Sequence, residues 1–173
     1  TDKNQALMRV SGKDISVNNS TFSVPYSYYG IYAPFEMDGL ALSNCSFKVS
    51  KGIQYAFLIN NATQVPTGQC VFQKCLFDLS KEKIDDATSY GAVFASKIIF
   101  KDCICNYNKS ITFGAEGIEV SQSELFGVHV LNSSKIIISD CILHGNYTPI
   151  TIGDLNRKSK LKIVRLFADK VEL

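Results

Sequence analysis

Apolar and polar residues recur along the chain in an eight-residue pattern that predicts two short strands meeting at a corner. The pattern is apolar, any, apolar, polar, polar, small or Cys, any, apolar. Its first and third positions alternate as on a strand with one buried face, and its sixth and eighth positions do so again after a shift in phase. The two polar residues therefore form a bend. Seven copies begin at Ile15, Leu40, Cys70, Ile98, Ile118, Ile136 and Leu161.

The second bend position favours a left-handed backbone. Asn or Asp occupies it in four copies, at Asn19, Asn44, Asp102 and Asp140, and these residues tolerate positive φ better than other non-glycine residues. In the last copy the pattern weakens, because apolar residues stand at 164 and 166.

A shorter alternating segment precedes each copy and predicts a third strand. These segments lie at 8–10, 31–33, 57–59, 92–94, 111–113, 128–130 and 150–152. Three strands per repeat predict an all-β solenoid of about seven coils, in which each coil packs on its neighbours. The competing fold is a β-sandwich, which predicts hairpins with Asn-Gly or Asp-Gly turns. We favour the solenoid, because the only such dipeptide, Asp38-Gly39, leads into a strand.

A parallel solenoid stacks equivalent residues in columns, about 4.8 Å apart. The sixth pattern position predicts the column Ser20, Cys45, Cys75, Cys103, Ser123, Cys141 and Leu166. The eighth predicts Phe22, Phe47, Phe77, Cys105, Leu125, Leu143 and Ala168.

Composition narrows the functional classes. The 173 residues are 46% hydrophobic and 20% charged, with a formal net charge of +2, which is typical of one folded domain. No basic run suggests nucleic-acid binding, and no apolar run is long enough to span a membrane. The chain starts with neither Met nor a signal peptide, and neither end carries a polar cap. We expect residues 1–173 to form a single β-helix domain that is part of, or excised from, a larger chain.

The six cysteines are predicted to be reduced core thiols rather than disulfides, because all six fall on inward apolar positions. Such thiols suit folding in a reducing cytoplasm. No Cys-x-x-Cys occurs and no His lies near Cys103 and Cys105, so neither a metal nor a cofactor is expected. Several Asn-x-Ser/Thr sequons occur, and we attribute them to the Asn- and Ser-rich bends.

The three-strand coil and its Asn/Asp bend resemble the right-handed parallel β-helix, or pectin-lyase-like, superfamily over residues 8–168. The resemblance implies a right-handed, single-stranded β-helix. The superfamily includes polysaccharide lyases, glycoside hydrolases, epimerases, surface proteins and phage tailspikes, so fold alone does not give function. Of the polygalacturonase motifs, only Asp85-Asp86 matches a piece, and it lies in a predicted loop. His144-Gly145 lacks the preceding glycine, so a standard pectinolytic enzyme is not expected.

Outward residues of the second strand form a partly apolar row, which is typical of a covered face, although scattered exposed apolar residues are ordinary. Packing of three β-helices side by side, as in the phage tailspikes that the chain resembles, would cover it as a homotrimer. The row is Ser16, Ala41, Val71, Ile99, Glu119, Ile137 and Lys162.

Outward residues of the first strand are the predicted ligand-binding row, because in this superfamily the sugar groove commonly follows that sheet. The row is Arg9, Tyr32, Leu58, Val93, Thr112, His129 and Thr151. We expect substrate contacts from Tyr32, Thr112, His129 and Thr151, and from Tyr107 in a later loop. Candidate catalytic residues are Asp85, Asp86 and His129, although no two carboxylates pair into the arrangement that glycosidases need.

Three hypotheses follow from the sequence. The first is a phage tailspike-type domain that binds, and in one version cleaves, bacterial surface polysaccharide, and that resides in the virion. The second is a secreted microbial polysaccharide lyase or glycoside hydrolase. The third is a non-catalytic structural or adhesive solenoid of a cell surface.

Overall fold

The computed structural model describes residues 5–33, 37–60, 68–79, 91–145, 150–153 and 160–168, and these form a right-handed parallel β-helix of seven coils. The predicted fold class is therefore confirmed. Within the described residues no helix is long and apolar enough to cross a membrane.

One sheet holds the first strand of every coil, paired in parallel from coil 1 to coil 7. Its strands are β1 (Ala6–Arg9), β4 (Tyr29–Ala33), β7 (Tyr55–Ile59), β10 (Gly91–Phe94), β13 (Ile111–Gly114), β16 (Val128–Leu131) and β18 (Ile150–Gly153).

The second and third strands of each coil form the other two walls. The second wall holds β2 (Gly12–Asn18), β5 (Met37–Ser43), β8 (Gln69–Gln73), β11 (Lys97–Lys101) and β14 (Gly117–Ser121). The third holds β3 (Thr21–Tyr26), β6 (Ser46–Lys51), β9 (Leu76–Leu79), β12 (Ile104–Cys105) and β15 (Glu124–Leu125). In the last two coils one strand runs through both walls, as β17 (Lys135–Leu143) and β19 (Lys160–Ala168).

The predicted bend occurs in all seven coils. Its second residue has a φ between 49° and 56° each time, at Asn19, Asn44, Lys74, Asp102, Gln122, Asp140 and Arg165. The last coil keeps the bend although its sequence pattern weakens there. The parallel hydrogen bonds continue through the corner, as from Asn44 N–H to Gln73 C=O at 3.0 Å, so the stacking of coils imposes this conformation even on Lys and Arg.

The sixth pattern position selects Cys or Ser for a reason beyond small size. In six coils its S–H or O–H donates to the carbonyl two residues earlier, at the first bend position. Examples are Cys75 to Gln73, at 3.3 Å, and Ser123 to Ser121, at 2.7 Å. The other four donors are Ser20, Cys45, Cys103 and Cys141. Five of the six carbonyls also accept a backbone N–H from the preceding coil. The side-chain bond is therefore a second bond to the corner carbonyl, and it gives the S–H or O–H a partner.

Both predicted inner columns are present in register. Phe22, Phe47 and Phe77 stack with ring centroids 5.1 Å apart at each step. Beyond Phe77 the same column continues through Cys105 to the last coil. All six cysteines are free and buried, as predicted. Burial raises the pKa of Cys70 and of Cys105 to about 12, so both remain thiols at neutral pH.

A buried asparagine ties three coils together. Asn60 follows β7 with a φ of 56°, and only 3% of its surface is exposed. Its side-chain oxygen accepts from Met37 N–H, and its amide donates to Met37 C=O and Phe94 C=O, each at 2.9 Å. One side chain of coil 3 thus satisfies backbone groups of coils 2 and 4.

Candidate functional site: the outer face of the first sheet

The outer face of the first sheet carries one continuous column of side chains. Strand pairing places its members in register, in the order Arg9, Tyr32, Leu58, Ala92, Thr112, His129 and Thr151. From Tyr32 to Thr151 the column makes five steps, so it extends over about 24 Å. It lies parallel to the solenoid axis.

One predicted member of the column was wrong. Val93 was expected to face outward, but it is fully buried and Ala92 occupies the outward position. The strand is shifted by one residue because Val93 continues an inner column between Ile59 and Phe113. The following residue, Phe94, turns outward over Gly114, where an added Cβ would come within 2.3 Å of its ring.

The other predicted ligand-binding residues differ in accessibility. Tyr32 and His129 are half-buried and Thr151 is exposed, whereas Thr112 keeps only 6% of its surface exposed. Tyr107 lies in a loop, as predicted, but its side chain is buried, at 3% exposure. Its hydroxyl donates to the carbonyl of Gln54 at 2.6 Å, and burial raises its pKa, so it is a core residue rather than a ligand contact.

The predicted catalytic residues Asp85 and Asp86 lie outside the residues that the structure describes. The outward positions that the structure describes in the first sheet hold no carboxylate. His129 therefore has no described acidic partner there with which to form an acid–base pair.

A cluster of four tyrosines, Tyr28, Tyr29, Tyr32 and Tyr55, occupies the N-terminal end of the same face. Tyr29 stacks on Tyr55, one coil along, with centroids 5.4 Å apart, and lies 4.5 Å from Tyr32. Tyr28 packs edge-on against Tyr29 at 4.9 Å. The guanidinium of Arg9 lies 4.9 Å from the Tyr32 ring centroid, a cation–π contact.

The cluster presents uncharged phenols and one cation. Burial, followed by the proximity of the other three tyrosines, raises the pKa of Tyr29 and keeps its hydroxyl protonated. Because Tyr29 and Tyr55 stack face to face, their ring edges and hydroxyls would be the parts available to a ligand. Such a surface can donate and accept hydrogen bonds while offering apolar ring carbons.

Sequence reasoning missed Tyr55, although a pattern was available. Tyr29 and Tyr55 each lie three residues before an outward residue of the column, Tyr32 and Leu58 respectively. Strand register pairs them directly. Comparing the residues just before each predicted first-strand segment would have found the cluster.

The second and third walls of the solenoid each carry an apolar row on their outer face. The predicted second-strand row is in register throughout, and its apolar members Val71, Ile99 and Ile137 are half-buried. The third-strand row was not predicted, and its large apolar side chains are exposed. It consists of Thr21, Ser46, Leu76, Ile104, Glu124, Ile142 and Phe167. Glu124 interrupts the row, and its Oε1 lies 2.8 Å from His144 Nε2.

A hollow of about 510 Å³ lies on the second wall near its N-terminal end. Asp14 and Asp38 line its rim, and Lys13 pairs with Asp38 at 3.7 Å. No group of three or more potential metal ligands occurs among the residues that the structure describes.

Comparisons with protein-family models, with curated proteins and with solved structures find no match. The class of the protein is defined by its own geometry, a parallel β-helix solenoid with a tyrosine cluster at the N-terminal end of its first sheet.

Proposed function

We propose that the protein is a phage tailspike-type β-helix of the pectin-lyase-like superfamily that binds bacterial surface polysaccharide along its first sheet. The observation that carries this proposal is the tyrosine cluster leading into the column that ends at Thr151. A glycan chain offers alternating hydroxyls and apolar ring faces, which match phenol edges followed by small polar side chains. The column is long enough for several sugar rings in line.

Binding has more support than cleavage. Among the described residues, the first-sheet face lacks the two carboxylates that a glycosidase needs, and His129 stands without one. A secreted lyase or hydrolase would need its acid and base elsewhere, as at Asp85 and Asp86. The proposed location is the virion, or else the extracellular or cell-surface space.

A homotrimer is the proposed assembly. Two apolar rows run along adjacent walls, parallel to the axis, so a copy lying alongside can cover each row along its length. Exposed apolar residues at successive steps of one strand row, Leu76 and Ile104, support an interface more strongly than scattered ones.

The test is a panel of capsular polysaccharides and lipopolysaccharides, with binding and release of reducing ends measured on the same samples. Binding without new reducing ends is expected. Replacing both Tyr29 and Tyr55 with Ala should weaken binding about tenfold or more, whereas the double Phe variant should lose less, because it keeps the stacked rings. If both double variants bind as strongly as the parent protein, the first-sheet face is not the binding site.

Assembly is tested separately by light scattering. The protein should behave as a trimer at micromolar concentration, and Ile104→Asp with Ile142→Asp should yield monomers. Lys48→Asp, on the polar end of the same wall, is the matched control. A monomeric parent protein would refute the trimer and leave the glycan test unaffected.

A further inference from the structure

A second outward row lies beside the ligand-binding column on the first sheet. It is two residues further along each strand, about 7 Å away, and strand register gives its members as Phe94, Gly114, Leu131 and Gly153. Phe94 and Leu131 are half-buried. From coil 4 to coil 7 this row therefore alternates one large apolar side chain with one glycine.

Each glycine makes room for the large side chain of the preceding coil. The Phe94 ring fills the space that a Cβ at Gly114 would need, and Leu131 Cδ2 would lie 2.9 Å from a Cβ at Gly153. Neither glycine has a positive φ, so the backbone does not require glycine at these positions. Because glycine inside a strand lowers stability and marks a close approach of other groups, the alternation serves to hold Phe94 and Leu131 against the sheet as an apolar surface.

Phe94 differs from the tyrosines of the cluster in having an unpaired ring. Tyr29 stacks on Tyr55, and the Arg9 guanidinium lies 4.9 Å from the Tyr32 ring centroid. Within the described part of the chain, Phe94 makes no ring contact with another aromatic residue. An aromatic ring without an aromatic partner can pack against the C–H face of a sugar ring.

The column beside this surface supplies unused hydrogen-bonding groups. Thr112, His129 and Thr151 follow one another in successive coils, about 4.8 Å apart. Among the residues that the structure describes, no hydrogen bond involves any of these three side chains. The Thr112 hydroxyl is not among the buried unpaired polar atoms, so it reaches the surface although the residue is only 6% exposed. A ligand with hydroxyls along one edge and C–H groups on one face would contact both rows at once.

The charge of the two rows selects the kind of sugar. Their outward residues in β10, β13, β16 and β18 include no Asp, Glu, Lys or Arg. A sugar carboxylate placed there would lose part of its hydration without gaining a paired charge at these positions. The two rows therefore favour a neutral sugar over a uronic acid.

We propose that Phe94 and Leu131 form a subsite for a neutral pyranose ring, whose hydroxyls bond to Thr112 and His129. The class of ligand rests on the proposed glycan binding. The subsite is separate from the tyrosine cluster, because in strand register Phe94 lies one coil beyond Tyr55 and five residues further along, about 17 Å away.

The experiment is a solution NMR titration of the full chain, observing the methyl groups of Leu and Thr. The neutral probes are methyl β-glucopyranoside and methyl β-galactopyranoside, and methyl β-glucuronide is the charged counterpart of the first. Ligands of this size bind in the millimolar range, so the titration extends to about 50 mM. The methyl signals of Leu131 and Thr112 should shift and saturate with a neutral probe, and the glucuronide should bind several-fold more weakly.

Two conservative variants test the contacts. Phe94→Leu keeps an apolar side chain over Gly114 but removes the aromatic ring, and Thr112→Val removes a hydroxyl that bonds to no described residue. Each should weaken binding of the neutral probe about fivefold, with an unchanged far-UV circular dichroism spectrum. Thr21→Val, at an exposed threonine of the third wall, is the matched control and should leave the titration unchanged.

Failure of the subsite and failure of the proposed function give different results. The subsite is refuted if neither neutral glycoside shifts the Leu131 and Thr112 methyls, or if the glucuronide binds as well as the glucoside. It is also refuted, while the proposed function stands, if polysaccharide binding is lost on replacing Tyr29 and Tyr55 with Ala but unchanged in Phe94→Leu and Thr112→Val. Saturating shifts with a neutral glycoside, and no binding of any polysaccharide, would support the subsite and refute the proposed function.

Discussion

Replacing Phe77 with Ala should be among the most costly single changes in the protein. Phe77 is fully buried, and its ring centroid lies between 4.9 and 6.1 Å from those of four others, Phe47, Phe57, Phe72 and Phe100. Truncating a core Phe costs about 3–5 kcal/mol, and each lost aromatic pair adds about 0.5–1.5 kcal/mol. We therefore expect a loss in unfolding free energy near the top of the range, about 5 kcal/mol.

The matched control is Lys48→Ala, on the third wall but facing outward, exposed and outside the apolar row. It should change stability by no more than about 0.5 kcal/mol. Urea unfolding followed by far-UV circular dichroism measures both variants. For a chain of this size, the Phe77 change corresponds to a lower Tm by about 10–20 °C. The m-value must be compared as well, because solenoids can unfold in parts.

Similar losses in the two variants would refute the inward and outward assignment of the third wall. So would a Phe77→Ala loss below about 1 kcal/mol, since a cavity of that size in a packed core cannot be so cheap.

Three further predictions concern the bends and the buried asparagine. Asn60→Ala should cost about 3 kcal/mol or more in urea unfolding, because it leaves Met37 N–H and two carbonyls unpaired in the core; a loss below 1 kcal/mol would contradict this. Cys75→Ser should be better tolerated than Cys75→Ala by about 1 kcal/mol, because the hydroxyl still donates to the bend carbonyl two residues earlier; the reverse order would show that this bond does not offset the cost of burying the hydroxyl. The hydrogen bond from Arg165 lowers the pKa of Asp140 below its ordinary value near 3.8. The folded-state pKa is the lower one, so this stabilisation is present above about pH 4 and is lost as pH falls through the folded value. Asp140→Asn, which keeps a residue suited to positive φ, should therefore have a lower Tm than the parent at pH 6 but not at pH 2, and an equal difference at both would exclude the ion pair as the cause.

The coil and its columns could be predicted from the sequence because two alternations with opposite phase flank a fixed two-residue bend. That arrangement assigns the inward column from Ser20 to Cys141 without ambiguity. The bend in the last coil was predicted only from a weakened copy of the pattern, since Val164 and Arg165 carry no local preference for it. Hydrogen bonds between coils impose that conformation.

The errors occurred in segments where apolar and polar residues do not alternate. The strand segment 92–94 is entirely apolar, so the sequence does not show which of its residues face inward. Packing of Val93 between Ile59 and Phe113 decides it. Tyr107 is flanked by asparagines, so its side chain was expected at the surface of a loop. Its ring instead enters the core, where the hydroxyl bonds to a carbonyl far away in sequence.

The candidate site was predictable as a sheet face but not as a cluster. Tyr32 followed from the column. Tyr29 and Tyr55 are the first residues of β4 and β7, ahead of the alternating segments 31–33 and 57–59 that the sequence identified, and Tyr28 precedes its strand. The apolar third-strand row was missed because its position in the pattern accepts any residue.

The Asn60 side chain has a mechanical consequence. In a stack where each coil adheres only to the next, tension along the axis would separate any two levels with similar ease. Asn60 forms hydrogen bonds with Met37 on one side and Phe94 on the other, and so links coils 2, 3 and 4 to one another. Under tension along the axis, coils 2, 3 and 4 should therefore be the last to separate from one another.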